Sequence, residues 1–215
     1  MTSLAEELVL LAVEDDGKIA YTAGNAGFIL ALFGACLIDL NIRGRIDADL
    51  KELTLLSSEP TGLAHLDWVL SKIHPGGGMP VSRWLINTQR ESQSLVKLTL
   101  SELVKRGILK TAQTQFLWVF NSRRYPVIDG QEQKEAKLRI LATLLNLGLP
   151  TPHDTALIGL ARVGDLLQGF MATDEISRLS ARLDLVGGVD LIVREVEAAI
   201  RENYQIQAQA LMFMH

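Results

Sequence analysis

The sequence predicts a mainly α-helical protein, a single globular domain over residues 1–215 in which amphipathic helices wrap a central buried helix and a hydrophobic β-hairpin is added. Three observations carry this expectation. Residues 26–40 have helical length but no polar face, so other elements must enclose them. Stretches with apolar residues at helical spacing recur before and after that run. Among them Phe116, Leu117, Trp118, Val119 and Phe120 read as an apolar strand rather than as a helix. A chain of 215 residues can close one substantial core, and 48% hydrophobic with 21% charged residues is a composition that folds.

Taken in order, Ser3 and Glu6 form a capping box, and Leu4, Leu8, Leu11 and Ala12 follow at helical spacing. This first helix should end before Glu14-Asp15-Asp16-Gly17. Lys18 to Thr22 alternates as a short strand would, Asn25 then caps the central helix, and Arg43-Gly44-Arg45 stops it. The alternation of Ile46, Ala48 and Leu50, then of Leu53, Leu55 and Leu56, predicts a short hairpin between Arg45 and Ser58. Pro60-Thr61 opens a helix carrying Leu63, Leu66, Val69 and Leu70, and His74-Pro75-Gly76-Gly77-Gly78 closes it as a loop. Helices are expected over 81–88 and 91–105, with Gly107 in the C-terminal glycine position. An extended segment starts at Ile108, residues 116–120 form the second strand of its hairpin, and Tyr125-Pro126-Val127-Ile128 leads out. Helices resume over 132–147, 155–171, 174–183 and 191–203.

Composition and missing motifs narrow the function. A net charge of -4 and a pI near 5.6 oppose sequence-independent binding to a polyphosphate backbone, so no nucleic acid is expected and any anion site must be local. The single cysteine, Cys36, sits in an apolar run and reads as a buried hydrophobe. His65, His74, His153 and His215 lack the spacing of a metal site. There is no phosphate-cradling glycine motif and no nucleophile elbow, and Glu14-Asp15-Asp16 lies in a turn where carboxylates are solvated. No cofactor, metal or catalytic residue is nominated, and the expectation is a binding protein rather than an enzyme. The start of the chain lacks the basic and small-residue pattern of a secretory signal, and its longest apolar stretch is too short to span a bilayer, which predicts a cytoplasmic location.

Three features carry functional readings. If residues 116–120 are one strand, Phe116, Trp118 and Phe120 line one face and Leu117 and Val119 the other, so both faces need cover. Helices of the same chain supply that cover in one reading. In the other, one face meets a twin subunit or dips into lipid, with Arg123 and Arg124 reaching anionic headgroups. The order helix, glycine turn, hairpin also matches a winged helix-turn-helix, but Lys97, Lys105 and Arg106 are few cations for a recognition helix. Arg43-Gly44-Arg45 has two readings as well: a phosphate-chelating pair, or cations favoured at a helix C-terminus.

The chain resembles the Golgi phosphoprotein 3 family over most of its length. The resemblance is carried by Leu4-Ala5-Glu6-Glu7-Leu8, by Gly34-Ala35-Cys36-Leu37-Ile38-Asp39-Leu40 leading into Ile42-Arg43-Gly44-Arg45-Ile46, by Leu103-Val104-Lys105-Arg106-Gly107-Ile108-Leu109, and by Ala156-Leu157-Ile158-Gly159-Leu160-Ala161. It implies a helical domain with a membrane-inserting or self-associating hairpin, without catalysis, peripherally associated with membranes. Eukaryotic members look like adaptors that bind phosphatidylinositol 4-phosphate and the cytosolic tails of membrane proteins. The headgroup-binding Trp and three Arg of that pattern fall here on Gly24, Phe33, Gln93 and Val96. Arg83, Arg90, Arg123 and Arg124 are the candidate replacements, with Trp84 and Trp118 as interfacial anchors. The expected partners are therefore an anionic phospholipid surface, tails of membrane proteins, and a second copy through the hairpin. A protein-binding or oligomeric scaffold that never touches lipid is the alternative.

Overall fold

Ser3 caps the first helix, α1 (Leu4–Ala12), through the expected capping box: its hydroxyl accepts from the Glu6 amide at 3.2 Å, and the Glu6 carboxylate accepts from the Ser3 amide at 2.7 Å. The computed structural model describes residues 2–14, 16–19, 26–49, 51–75, 78–116 and 120–212, without the side chains of 112–116, 120–123 and 210–212. Every residue of α1 is buried, Glu6 and Glu7 included. These carboxylates are tolerated because each is met by cations. Arg106 donates to Glu6 at 2.7 Å, while Arg139 and His153 both bond Glu7. Burial pushes the Glu7 carboxyl up, but the bonds and charges of His153 and Arg139 outweigh it, and the group sits below its ordinary range. The same hydrogen bond raises the His153 imidazole.

α2 (Ala26–Ile42) is the expected central helix, two residues longer than its apolar run, and everything from Gly27 to Leu40 is buried. It packs against α1, α3 (Ala64–Leu70), α4 (Val81–Thr88), α7 (Pro152–Val163) and α10 (Leu191–Met212). A helix apolar on all sides has no stable alternative to such enclosure. Its one acidic residue, Asp39, accepts from the amides of Leu4 and Ala5 at 3.2 Å each, so the C-terminal end of α2 caps the N-terminal end of α1 and the two run antiparallel. Asn25, the expected cap of α2, lies outside the described residues, as do Ala20 to Thr22 of the expected strand; Ile19 forms an isolated bridge with Val13.

Burial raises the Asp39 carboxyl to about 6 despite the two backbone bonds that favour its charged form. The folded state thus holds that proton more tightly than the unfolded chain does. The resulting stability is fully present below the ordinary carboxylate range and is lost as pH rises through 6. Between pH 4 and pH 7, wild type should therefore lose on the order of 2 kcal/mol relative to Asp39→Asn, which cannot titrate. Urea unfolding of both proteins across that range checks it; parallel profiles would remove the buried-acid account.

The short hairpin forms as expected from β1 (Ile46–Ala48) and β2 (Leu53–Leu55), with Ile46 opposite Leu55. α3 starts at Ala64 rather than at Thr61, because the Asp67 carboxylate accepts from both the amide and the hydroxyl of Thr61 and keeps 61–63 as a non-helical lead-in. α4 passes through a 3₁₀ turn at Gln89–Glu91 into α5 (Ser92–Lys105). α5 ends at Gly107, whose φ of +72° requires glycine there.

The second hairpin needs a correction. Its strands are β3 (Ala112–Phe116) and β4 (Phe120–Arg124), antiparallel, with Phe116 opposite Phe120. Residues 116–120 are therefore not one strand; Leu117, Trp118 and Val119 lie outside the described residues. Backbone pairing overrides the apolar pattern, since the paired positions Gln113–Arg123, Thr114–Ser122 and Gln115–Asn121 are polar and continue the ladder. Apolar residues in β3 and β4 are limited to Ala112 and the closing pair Phe116–Phe120.

The remaining helices are α6 (Gln131–Leu144), α7, α8 (Thr173–Arg178), α9 (Ser180–Gly187) and α10. α6 stops three residues early because Asn146 takes a left-handed φ of 58°. α7 starts before the expected Thr155, since Thr151 and Asp154 form a second capping box with Pro152 in the first turn. It also ends well before Met171, at the left-handed Asp165. The expected helix over 174–183 is two helices, and α10 runs past Asn203 to Met212. The buried apolar side chains form one contiguous cluster around α2.

Candidate functional site

Three segments far apart in sequence converge where α2 begins. Ala26 and Ile29 of α2, Ile86, Asn87, Gln89, Arg90, Ser92 and Gln93 at the junction of α4 and α5, and Asn203, Ile206 and Gln207 of α10 line a cavity of about 710 Å³. That size suits a small ligand or headgroup. Arg90 is exposed on the 3₁₀ turn and is the charged member of the lining. Asn203 is 8% exposed and donates to Gln89 Oε1 at 3.2 Å, while Gln89 Nε2 donates to the Ile86 carbonyl at 3.2 Å. This relay fixes the orientation of both carboxamides.

The base of the second hairpin is tied to the turn that follows α1. In that turn the Gly17 carbonyl accepts from the Tyr125 amide at 2.7 Å, and Arg124 forms an ion pair with Asp16 at 2.7 Å. Hydrogen bonds between the backbones of Lys110 and Pro126 and of Ile128 and Ile108 hold the two legs together.

The four candidate arginines fare differently. Arg90 lines the cavity. Arg83 is exposed on α4 and paired with Glu202 of α10 at 3.2 Å, and Arg124 is held by Asp16. Arg123 stands opposite Gln113 in the ladder, and its side chain lies outside the described part. Of the positions where the family resemblance places headgroup contacts, Gln93 lines the cavity, Val96 packs against the core, and Gly24 is not described. Phe33 is fully buried, with its ring centroid 6.2 Å from that of Trp68 and 5.9 Å from that of Trp84. An aromatic cluster thus occupies the place of a cation. Trp84 is correspondingly a core residue, 6% exposed with its indole N–H donating to the Lys72 carbonyl at 3.4 Å, and not an interfacial anchor. Arg45 pairs with Glu59 at 3.6 Å beside the turn that ends α2.

Sequence reading missed Asn203 and Gln207. Their one signal was the spacing of four on a helix that continues past Asn203. Among the described residues no helix is long and apolar enough to cross a membrane, and no group of three or more His, Cys, Asp or Glu is placed to hold a metal.

No curated protein matches the chain. The family model described as Golgi phosphoprotein 3 matches residues 4–203, which takes in the capped α1, the enclosed α2, the hairpin and all of the cavity lining but Ile206 and Gln207. The chain therefore belongs to the Golgi phosphoprotein 3 family.

Proposed function

We propose that this protein is a non-enzymatic, peripheral membrane-binding adaptor that acts as a single domain and meets an anionic lipid surface with the end of the bundle where α2 begins. The observation that carries the reading is the Arg90 cavity at the start of α2. Phe116 and Phe120 close the ladder of the second hairpin, and the sequence Leu117-Trp118-Val119 joins them, an aromatic and aliphatic composition suited to the membrane interface. Attraction to the surface is local, because the chain as a whole carries a charge of -4. Tails of membrane proteins and a second copy of the chain are the protein partners this reading admits.

Flotation with phosphatidylcholine vesicles, with and without an anionic lipid, tests it. Wild type should float only with the anionic vesicles. Trp118→Ala combined with Phe120→Ala should weaken binding at least tenfold while leaving the unfolding midpoint of the body unchanged. Equal behaviour on both vesicle types would reject lipid binding. It would favour a protein-binding scaffold instead, for which the α6–α7 connection offers Leu147 and Leu149 at 75% and 98% exposure.

A further inference from the structure

α6 is apolar on two sides. Ala136, Ile140 and Leu144 are buried inward, while Leu138, Leu141 and Leu145 recur at the spacing of a second stripe, in which Leu138 and Leu145 are more than half exposed. α8 lies beside that stripe. Leu141 and Leu145 on one side, and Met171, Glu175, Arg178 and Leu179 on the other, wall an apolar groove of about 260 Å³. The left-handed Asn146 then turns the chain, and the Leu147 amide donates to the Ala142 carbonyl at 2.8 Å, which ties Leu147 to the turn of α6 that walls the groove, with Leu149 following. Among the described residues, these two are the most exposed of the large apolar side chains. Exposed leucines around an apolar groove make a patch on the order of a few hundred Å², the size that marks an interaction site rather than scattered surface.

A hollow and projecting leucines side by side on one surface fit a copy of that same surface turned about a two-fold axis, since each copy supplies what the other lacks. The charges agree. The chain carries -4 overall, but α6 has one more base than acid and α8 one more acid than base, so an identical partner meets no net repulsion from these walls. Of the two charged residues in the groove, Glu175 is acidic and Arg178 basic, so two-fold pairing sets each against its opposite. The bond Arg178 makes within its own chain, to Asp174, is an exposed pair of little net worth and is readily exchanged. We propose that α6, α8 and the α6–α7 connection form an interface between two copies of this chain, with Leu147 and Leu149 of each copy seated in the groove of the other. The interface shares no residue with the second hairpin or with the cavity at the start of α2, and it does not depend on the protein meeting lipid.

Sedimentation velocity on the full chain carrying Trp118→Ala and Phe120→Ala, which removes association through the hairpin, reads this interface alone. The patch is small for a protein–protein contact, so a dimer with a Kd of about 1–100 µM is expected, seen as a mass that doubles with rising concentration. Adding Leu147→Ser and Leu149→Ser should weaken it at least about tenfold. Both positions are exposed, so the unfolding midpoint of the dilute protein should not move. A pair of thiols tests the arrangement. Cys36 is buried, so Leu149→Cys in one batch and Arg178→Cys in a second supply the accessible thiols. A short bismaleimide should join the mixed batches into a covalent dimer much faster than it joins copies carrying Leu56→Cys, an exposed position away from the groove. A protein that stays monomeric across the concentration range overturns the proposal, and so does a dimer that survives the serine pair or cross-links no faster than the Leu56→Cys control.

Discussion

Arg106→Met should destabilise the fold by about 3 kcal/mol or more, with little change in the urea m-value. Glu6 is 0% exposed, and its Oε2 atom takes two bonds, from the Ser3 amide and from the Arg106 guanidinium. Removing Arg106 leaves a fully buried carboxylate with one backbone donor, and an uncompensated buried charge costs far more than the net gain from the pair itself. The expectation sits at the lower end of the 3–5 kcal/mol usual for such losses because the arginine side chain is 29% exposed, so water reaches the bond. Adding Glu6→Gln should restore more than half of the loss. The amide keeps an acceptor for Ser3 and removes the stranded charge, so the cap survives while the penalty disappears. If the single variant unfolds within 1 kcal/mol of wild type, Glu6 and Arg106 do not hold α1 in the core in the way described.

The parts of this fold that could be read from the chain are those set by neighbours in sequence. Ser3 with Glu6, and Gly107 after α5, are local devices whose partners lie within a few residues, and both appear where expected. The enclosure of α2 was legible for a related reason, since an all-apolar helix admits one environment. Interactions across long sequence separations were not. Asp39 caps α1 from 35 residues away, and nothing in its own neighbourhood marks it as a cap. The second hairpin was misplaced because apolar residues were weighted over ladder partners: Gln113, Thr114 and Gln115 carry little strand signal, yet each finds an antiparallel partner. α6 and α7 end at Asn146 and Asp165, residues that tolerate the left-handed region but do not require it, so their sequence context gave no stop. The cavity is the extreme case. Its lining joins α2, the α4–α5 junction and α10, and only Arg90, with Gln93 through the family pattern, was in view beforehand.

Gly159→Ala should cost about 3 kcal/mol, although replacing glycine by alanine inside a helix ordinarily stabilises it by up to about 1 kcal/mol. The sign is decided by what the new methyl group meets. A Cβ at this position of α7 would lie 2.4 Å from the Gly187 carbonyl oxygen, 3.2 Å from the Gly187 carbonyl carbon and 2.7 Å from Val193 Cγ1. Two of these atoms are backbone at the end of α9, which cannot rotate away, so α9 must move off α7 and forfeit the packing between them. The valine offers no relief, being β-branched, helical and fully buried. The contact is reciprocal, since a Cβ on Gly187 would lie 2.8 Å from Gly159 Cα. Gly148 supplies the control: nothing lies within 4 Å of a Cβ built there, so Gly148→Ala should be neutral or stabilising by a few tenths of a kcal/mol. Thermal and urea unfolding of the two variants beside wild type would show the contrast, and a Gly159→Ala protein as stable as wild type would mean that α7 and α9 do not approach each other at backbone contact.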